Sequence, residues 1–272
     1  MTNEDLTRIR SWFAGYCRSF DSPDEEERKN MLLKEDHTHR VCANAIRVGA
    51  DEGLSGGDLF LAEAAALLHD VGRFEQYRQY RTFRDSISVD HGAFGVEILL
   101  DSDILAGFDP RDRRIVISCV ESHNCFKPRK RIPGEVLAFL NLVRDADKLD
   151  IWRIFADYYR TPADERSQAV GQGLPDKPRC SSRICEKVMR REPVRLSSAR
   201  TLNDFKLVQL SWIFDMAYPS SFRLLLERDH INGIAATLPT DQSVAAAVDA
   251  VRKYAGERAV GESRAFPHGM AG

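Results

Sequence analysis

The 272-residue chain has no C-x-x-C pair, no apolar run of bilayer length, no alternating strand pattern and no large excess of either charge. Each absence removes a class of protein. The six cysteines (Cys17, Cys42, Cys119, Cys125, Cys180 and Cys185) are scattered, and no histidine or third cysteine stands near Cys180 and Cys185. A thiolate zinc site is therefore not expected, and the thiols read as reduced. A membrane-spanning helix needs about 20 consecutive apolar residues, and none is present. The N-terminal residues also lack the apolar core of a signal peptide, so a cytoplasmic location without membrane association is expected. A formal net charge of −2 offers no global field for holding nucleic acid, and no stable binding to it is expected.

What is present is helical periodicity, which dominates from Asp36 to Asp157 and predicts an all-α fold. Helices are expected over Thr7–Phe20, Asp36–Glu52, Gly57–His69, Asp90–Leu100, Pro110–His123, Glu135–Tyr158, Ser182–Arg190, Leu202–Arg228 with a break near Pro219, and Asp241–Gly256. Gly53 to Gly57 is a turn after which Asp58 is a candidate cap. Residues 1–30 carry an N-terminal helix, and 31–160 form the main unit. A loop rich in Pro, Gly, Asp and Gln follows over 161–180. Residues 181–255 form a C-terminal helical extension packed on the main unit, and 256–272 a disordered tail.

The apolar run Ala64–Leu68 ends abruptly in His69-Asp70, and three more histidines occupy apolar faces. Residues three, four and seven positions apart share a helix face. By that test His69 stacks over Ala62 and Ala65. His91 lies with Phe94, Gly95 and Ile98, His123 with Val116, Cys119 and Val120, and His37 with Val41, Asn44, Ala45 and Val48. His39 lies about 200° round the helix from His37; periodicity leaves both open, with a weak preference for His37. Neutral imidazoles gathered in a core need a common partner, and a divalent metal is the usual one.

A carboxylate should balance that charge. Asp70 adjoins His69. In "VRDADKLDIW", Asp147 continues the face of Phe139, Leu142, Val143 and Ala146, so it is the expected ligand. Asp150, one turn on, is a candidate supporting group, and Asp145 is expected to be a surface or salt-bridge residue.

The order His37, His69-Asp70, Asp147 resembles the H…HD…D signature of the HD superfamily of metal-dependent phosphohydrolases, and "HTHRV" is similar to its first-histidine motif. The resemblance selects His37 over His39. "LLHDVGRFEQY", "DHGAFGVEIL", "ESHN", "RDADKLDI" and "LSWIFDMAYPSS" extend it, over Asp36 to Ile234, to a bacterial subgroup of HD-domain proteins. It implies a bundle of about five core helices whose signature residues bind a divalent ion. Members with additional histidines between the His-Asp pair and the last Asp hold two or more ions. His91 and His123 stand there, so the resemblance implies a binuclear site of His37, His69, Asp70, His91, His123 and Asp147, bridged by Asp70.

Histidine and carboxylate ligands without thiolate suit Mn, Fe, Co, Ni or Zn, with Mg also compatible. A metal pair activates water and neutralises phosphoryl oxygens. Hydrolysis of a phosphomonoester or phosphodiester is therefore expected, on a nucleotide or small phosphorylated metabolite, with Asp70 and Arg73 in catalytic roles. Arg73 and Lys127 are the expected substrate contacts, chosen among Arg78, Arg81, Arg84, Arg129, Lys130 and Arg131. Two alternatives share the ligand set: an HD-fold mixed-valent di-iron oxygenase and a non-catalytic binding or regulatory module. Phe126-Lys127-Pro128 after "ESHN" lacks the GYP extension of cyclic dinucleotide phosphodiesterases, which argues against cyclic di-GMP. A homo-oligomer is compatible with everything above.

Overall fold

In the computed structural model the described residues are 1–128, 131–162, 173–261 and 266. Among them the secondary structure is helical, with no strand, and the fold is all-α. Among the described residues no helix is long and apolar enough to cross a membrane. The chain divides into two compact units: 1–147 with 264–272, and 148–263.

The first unit contains α1 (Asn3–Arg18), α2 (Glu25–Asp51), α3 (Gly56–Leu68), α4 (Val71–Tyr80), α5 (His91–Asp101), α6 (Pro110–Ser122) and the first half of α7 (Gly134–Arg160). Several starts are written in the sequence. Thr2 and Asp5 form a reciprocal capping box at α1, Asp24 accepts from the Glu27 amide at α2, and Asp90 accepts from the Gly92 and Ala93 amides at α5. Asp109 caps α6, where Pro110 sits at a position whose N–H would lack a helical partner anyway. The expected cap at Asp58 is corrected. Ser55 holds that position, and the Asp58 carboxylate accepts from Arg111 Nη2 at 2.9 Å.

In the first unit two helical segments escaped the periodicity. The first turns of α2 carry Glu25 to Lys29 with no apolar stripe, yet Asn30 there bonds the Tyr77 hydroxyl at 2.9 Å. The short, charged α4 buries Phe74, Gln76 and Tyr77.

α3 packs between α2 and α1 and also meets α6, while α5 packs between α4 and α6. Two glycines make the α4–α5–α6 approach possible. A Cβ on Gly72 would stand 2.2 Å from the His91 carbonyl oxygen, and one on Gly92 would stand 2.9 Å from the carbonyls of Val120 and Glu121. The α3 helix is buried almost throughout its second half, from Leu61 to Leu68, each large side chain contributing about 1.5–3 kcal/mol.

The second unit contains the end of α7, α8 (Ser182–Met189), α9 (Leu202–Ser211), α10 (Pro219–Arg228), α11 (His230–Ala235) and α12 (Gln242–Ala259). Trp152 Nε1 donates to the Gln209 carbonyl at 2.9 Å, and the Tyr159 hydroxyl to Gln209 Oε1 at 2.7 Å. The break expected near Pro219 within Leu202–Arg228 is present: one helix ends at Ser211, and Pro219 is the first residue of the next. The tail expected from 256 is helical to Ala259, and its residues 262–265 and 267–272 lie outside the described residues. So do residues 163–172 of the expected loop.

Candidate metal centre

The α3 helix stops because the backbone turns at Asp70, the residue that both ends α3 beyond His69 and precedes α4. His69 therefore points into the unit from the end of an apolar rod, and Asp70 sits at the corner. Around that corner the structure gathers His37 from α2, His91 from the start of α5, His123 from the end of α6 and Asp147 from α7. The four imidazoles and Asp70 are all at most 5 % exposed. The Asp147 side chain is 16 % exposed, which marks the open side of the cluster.

The two oxygens of Asp70 face different partners. Oδ2 lies 3.7 Å from both His37 Nε2 and His69 Nε2, while Oδ1 lies 3.3 Å from His91 Nε2 and 3.4 Å from His123 Nε2. Asp147 Oδ1 stands 3.1 Å from His37 Nε2 and 3.9 Å from His69 Nε2. Two ligand groups thus meet at one carboxylate: His37, His69 and Asp70 on one side, Asp70, His91 and His123 on the other.

Hydrogen bonds on the far side of each ring assign its proton. His69 Nδ1 donates to the Ala66 carbonyl at 2.6 Å, His123 Nδ1 to the Val120 carbonyl at 2.9 Å, and His91 Nδ1 to Asp85 Oδ2 at 2.7 Å. Each Nε2 then presents a lone pair to the centre. His91 Nε2 and His123 Nε2 are only 3.0 Å apart, and buried His69 Nε2 has no hydrogen-bond partner. Lone pairs pointed at one another and at carboxylate oxygens repel unless a cation lies among them. A proton cannot be that cation at neutral pH on His69 or His91, because burial pushes each pKa down to about 4. Imidazole and carboxylate donors converging in this way fit a divalent ion.

Both carboxylates are held ionised. Burial alone would raise Asp70, but Lys34, His69, His123 and Arg73 hold it well below the usual range; for Asp147 desolvation likewise raises the pKa, and the His37 contact outweighs it and lowers the carboxyl. Lys34 contributes the shortest of these contacts, its Nζ lying 2.8 Å from Asp70 Oδ2.

Three residues around the cluster were missed by periodicity. Lys34 sits in a charged turn of α2 that shows no pattern. Asp85 lies in a 3-10 turn (Asp85–Ile87), accepting from His91 on one oxygen and from Arg73 Nη1 (2.7 Å) and Gln76 Nε2 (2.9 Å) on the other. Buried Arg144 on α7 donates from Nη1 to the carbonyls of His123 (2.7 Å) and Cys125 (2.6 Å), tying down the chain that follows α6.

Arg73, expected to meet substrate, has its Nε 3.6 Å from Asp70 Oδ1, but its Nη1 is committed to Asp85, Gln76 and the Phe83 carbonyl. Lys127 is exposed beyond α6, and among the described residues no hydrogen bond or ion pair joins it to the cluster. Arg129 and Lys130 lie outside the described residues. Asp145 is fully buried, which corrects the surface position among the two expected for it: α7 is buried on nearly its whole circumference there, so its phase does not separate inside from outside. Asp150 accepts from Arg153 Nε at 2.7 Å. His39 is exposed and meets Phe13 edge-on, away from His37.

The first unit is all-helical and carries at a helix corner a buried His/Asp cluster that could hold a metal ion. Residues 35–152, less than half of the chain, match the family model of the HD domain, and this segment is similar to that family, which is made up mostly of metal-dependent phosphohydrolases. No curated protein and no solved structure matches the chain.

Proposed function

We propose that this protein is a metal-dependent phosphohydrolase that holds two divalent ions and cleaves a phosphomonoester or phosphodiester bond in a small substrate of the nucleotide or phosphorylated-metabolite class. The observation that carries this reading is the division of Asp70, with one oxygen toward His37 and His69 and the other toward His91 and His123. A carboxylate shared in this way is what two adjacent ions require. Bound there, divalent ions supply an activated water and neutralise charge building on the phosphoryl oxygens.

The chain's own contributions are orientation and charge. Ala66, Val120 and Asp85 fix the ring protons of His69, His123 and His91 on Nδ1, leaving Nε2 to ligate. Arg73 is clamped beside Asp70 by Asp85 and Gln76, so its guanidinium is pre-oriented toward an anion at the centre. The Asp147, Lys34 and Arg73 side chains are partly exposed, in contrast to the buried histidines and Asp70, so a substrate would meet the cluster from their side.

The test is a metal-reconstituted screen under argon against mono-, di- and cyclic nucleotides and sugar phosphates, run beside His69→Ala and Asp70→Ala. Phosphate release by the parent protein, lost in both variants, is expected. Iron-dependent oxygen consumption in a parallel aerobic assay, with no phosphate release under argon, would replace this reading with that of an oxygenase.

A further inference from the structure

Lys34 lies one turn before His37 on α2 and one residue outside the segment that matches the HD family. Its ammonium donates to Asp70 Oδ2 at 2.8 Å and stands 5.3 Å from the Phe83 ring centroid. A lysine ammonium carries three donor hydrogens, and the contact with Asp70 uses one. The side chain is 17 % exposed, so the ammonium on Asp70 is not sealed from solvent. Arg73 spends Nη1 on three protein acceptors, while its Nε, 3.6 Å from Asp70 Oδ1, has no hydrogen-bond partner; Arg144 faces the carbonyls after α6.

We propose that Lys34 is an anion-binding residue of this centre, donating, beside the Arg73 guanidinium, to a phosphoryl oxygen of the ligand presented at Asp70. Naming that anion as a phosphoryl group rests on the phosphohydrolase reading. The position of Lys34 has a consequence for metals as well. A divalent ion on Asp70 Oδ2 and the Lys34 ammonium compete for the same oxygen and repel each other. Lys34 therefore opposes the metal and favours the anion, so its loss acts on the two in opposite directions. A residue that merely supported the fold would, on removal, weaken both.

The full-length protein loaded with Mn²⁺ is titrated calorimetrically with inorganic phosphate, comparing the parent protein with Lys34→Gln and Lys34→Arg. Losing one charge-assisted hydrogen bond weakens phosphate binding about tenfold or more in Lys34→Gln. Mn²⁺ stoichiometry is expected to stay unchanged and Mn²⁺ affinity to be equal or higher, while Lys34→Arg recovers most of the phosphate affinity. Unchanged phosphate affinity in Lys34→Gln would overturn the proposal, as would a parallel fall in Mn²⁺ affinity, or a Mn²⁺-loaded parent protein that binds no phosphate. Lys34-dependent phosphate binding in a protein that hydrolyses no ester would uphold the role of Lys34 and end the phosphohydrolase reading.

Discussion

Asp85→Asn tests the inner logic of the centre because it alters no proposed ligand and almost no volume. One oxygen of Asp85 accepts from His91 Nδ1, while the other accepts from Arg73 Nη1 and Gln76 Nε2. An asparagine has only one acceptor oxygen, so in either orientation its NH2 group meets a donor. If it faces His91, the conflict is relieved by moving the ring proton from Nδ1 to Nε2, which removes the lone pair aimed at Asp70 and His123. If it faces Arg73, the guanidinium loses its anchor. Removing a carboxylate behind a metal-binding histidine costs about 10–100-fold in affinity, or roughly 1.4–2.7 kcal/mol. The loss should fall on the His91–His123 side and spare His37, His69 and Asp147. Mn²⁺ titration followed by electron paramagnetic resonance should resolve two ions in the parent protein, with one weakened by that factor in Asp85→Asn. Two ions bound as tightly as before would refute the tautomer argument.

Gly72→Ala forces a methyl against the His91 carbonyl and the Gly95 amide, both backbone, and should cost about 1–3 kcal/mol, seen as a Tm lower by about 2–10 °C. Gly256→Ala, inside α12 with nothing within 4 Å of the added methyl, should instead stabilise by about 0.4–1 kcal/mol; a fall in Tm there would contradict the open space around that position. Chelation should lower the Tm of the metal-loaded protein. An ion present at 100 times its Kd contributes about 2.7 kcal/mol, and a melting curve indifferent to chelator would mean that the folded cluster holds no ion.

Much of this protein was legible in one dimension because helices report their buried faces at fixed spacing. The apolar run before His69, the phase of Asp147 with Phe139, Leu142, Val143 and Ala146, and the capping aspartates Asp90 and Asp109 all express contacts within three or four residues. That spacing was enough to favour Asp147 over Asp145, although Asp145 is buried too, because a helix wrapped on all sides has no polar face for phase to identify. Lys34 and Asp70 are 36 residues apart, and Asp85 lies in a short 3-10 turn with no period of its own. Their pairing with the cluster depends on how closely α2, α3, α4 and α5 approach, which glycines such as Gly72 permit but do not announce. The sequence by itself determined the helical class and the order of the His and Asp residues. Only the tertiary structure decided that Asp70 turns one oxygen to each histidine pair and that a lysine stands against it, because those relations are distances between helices rather than periods along one.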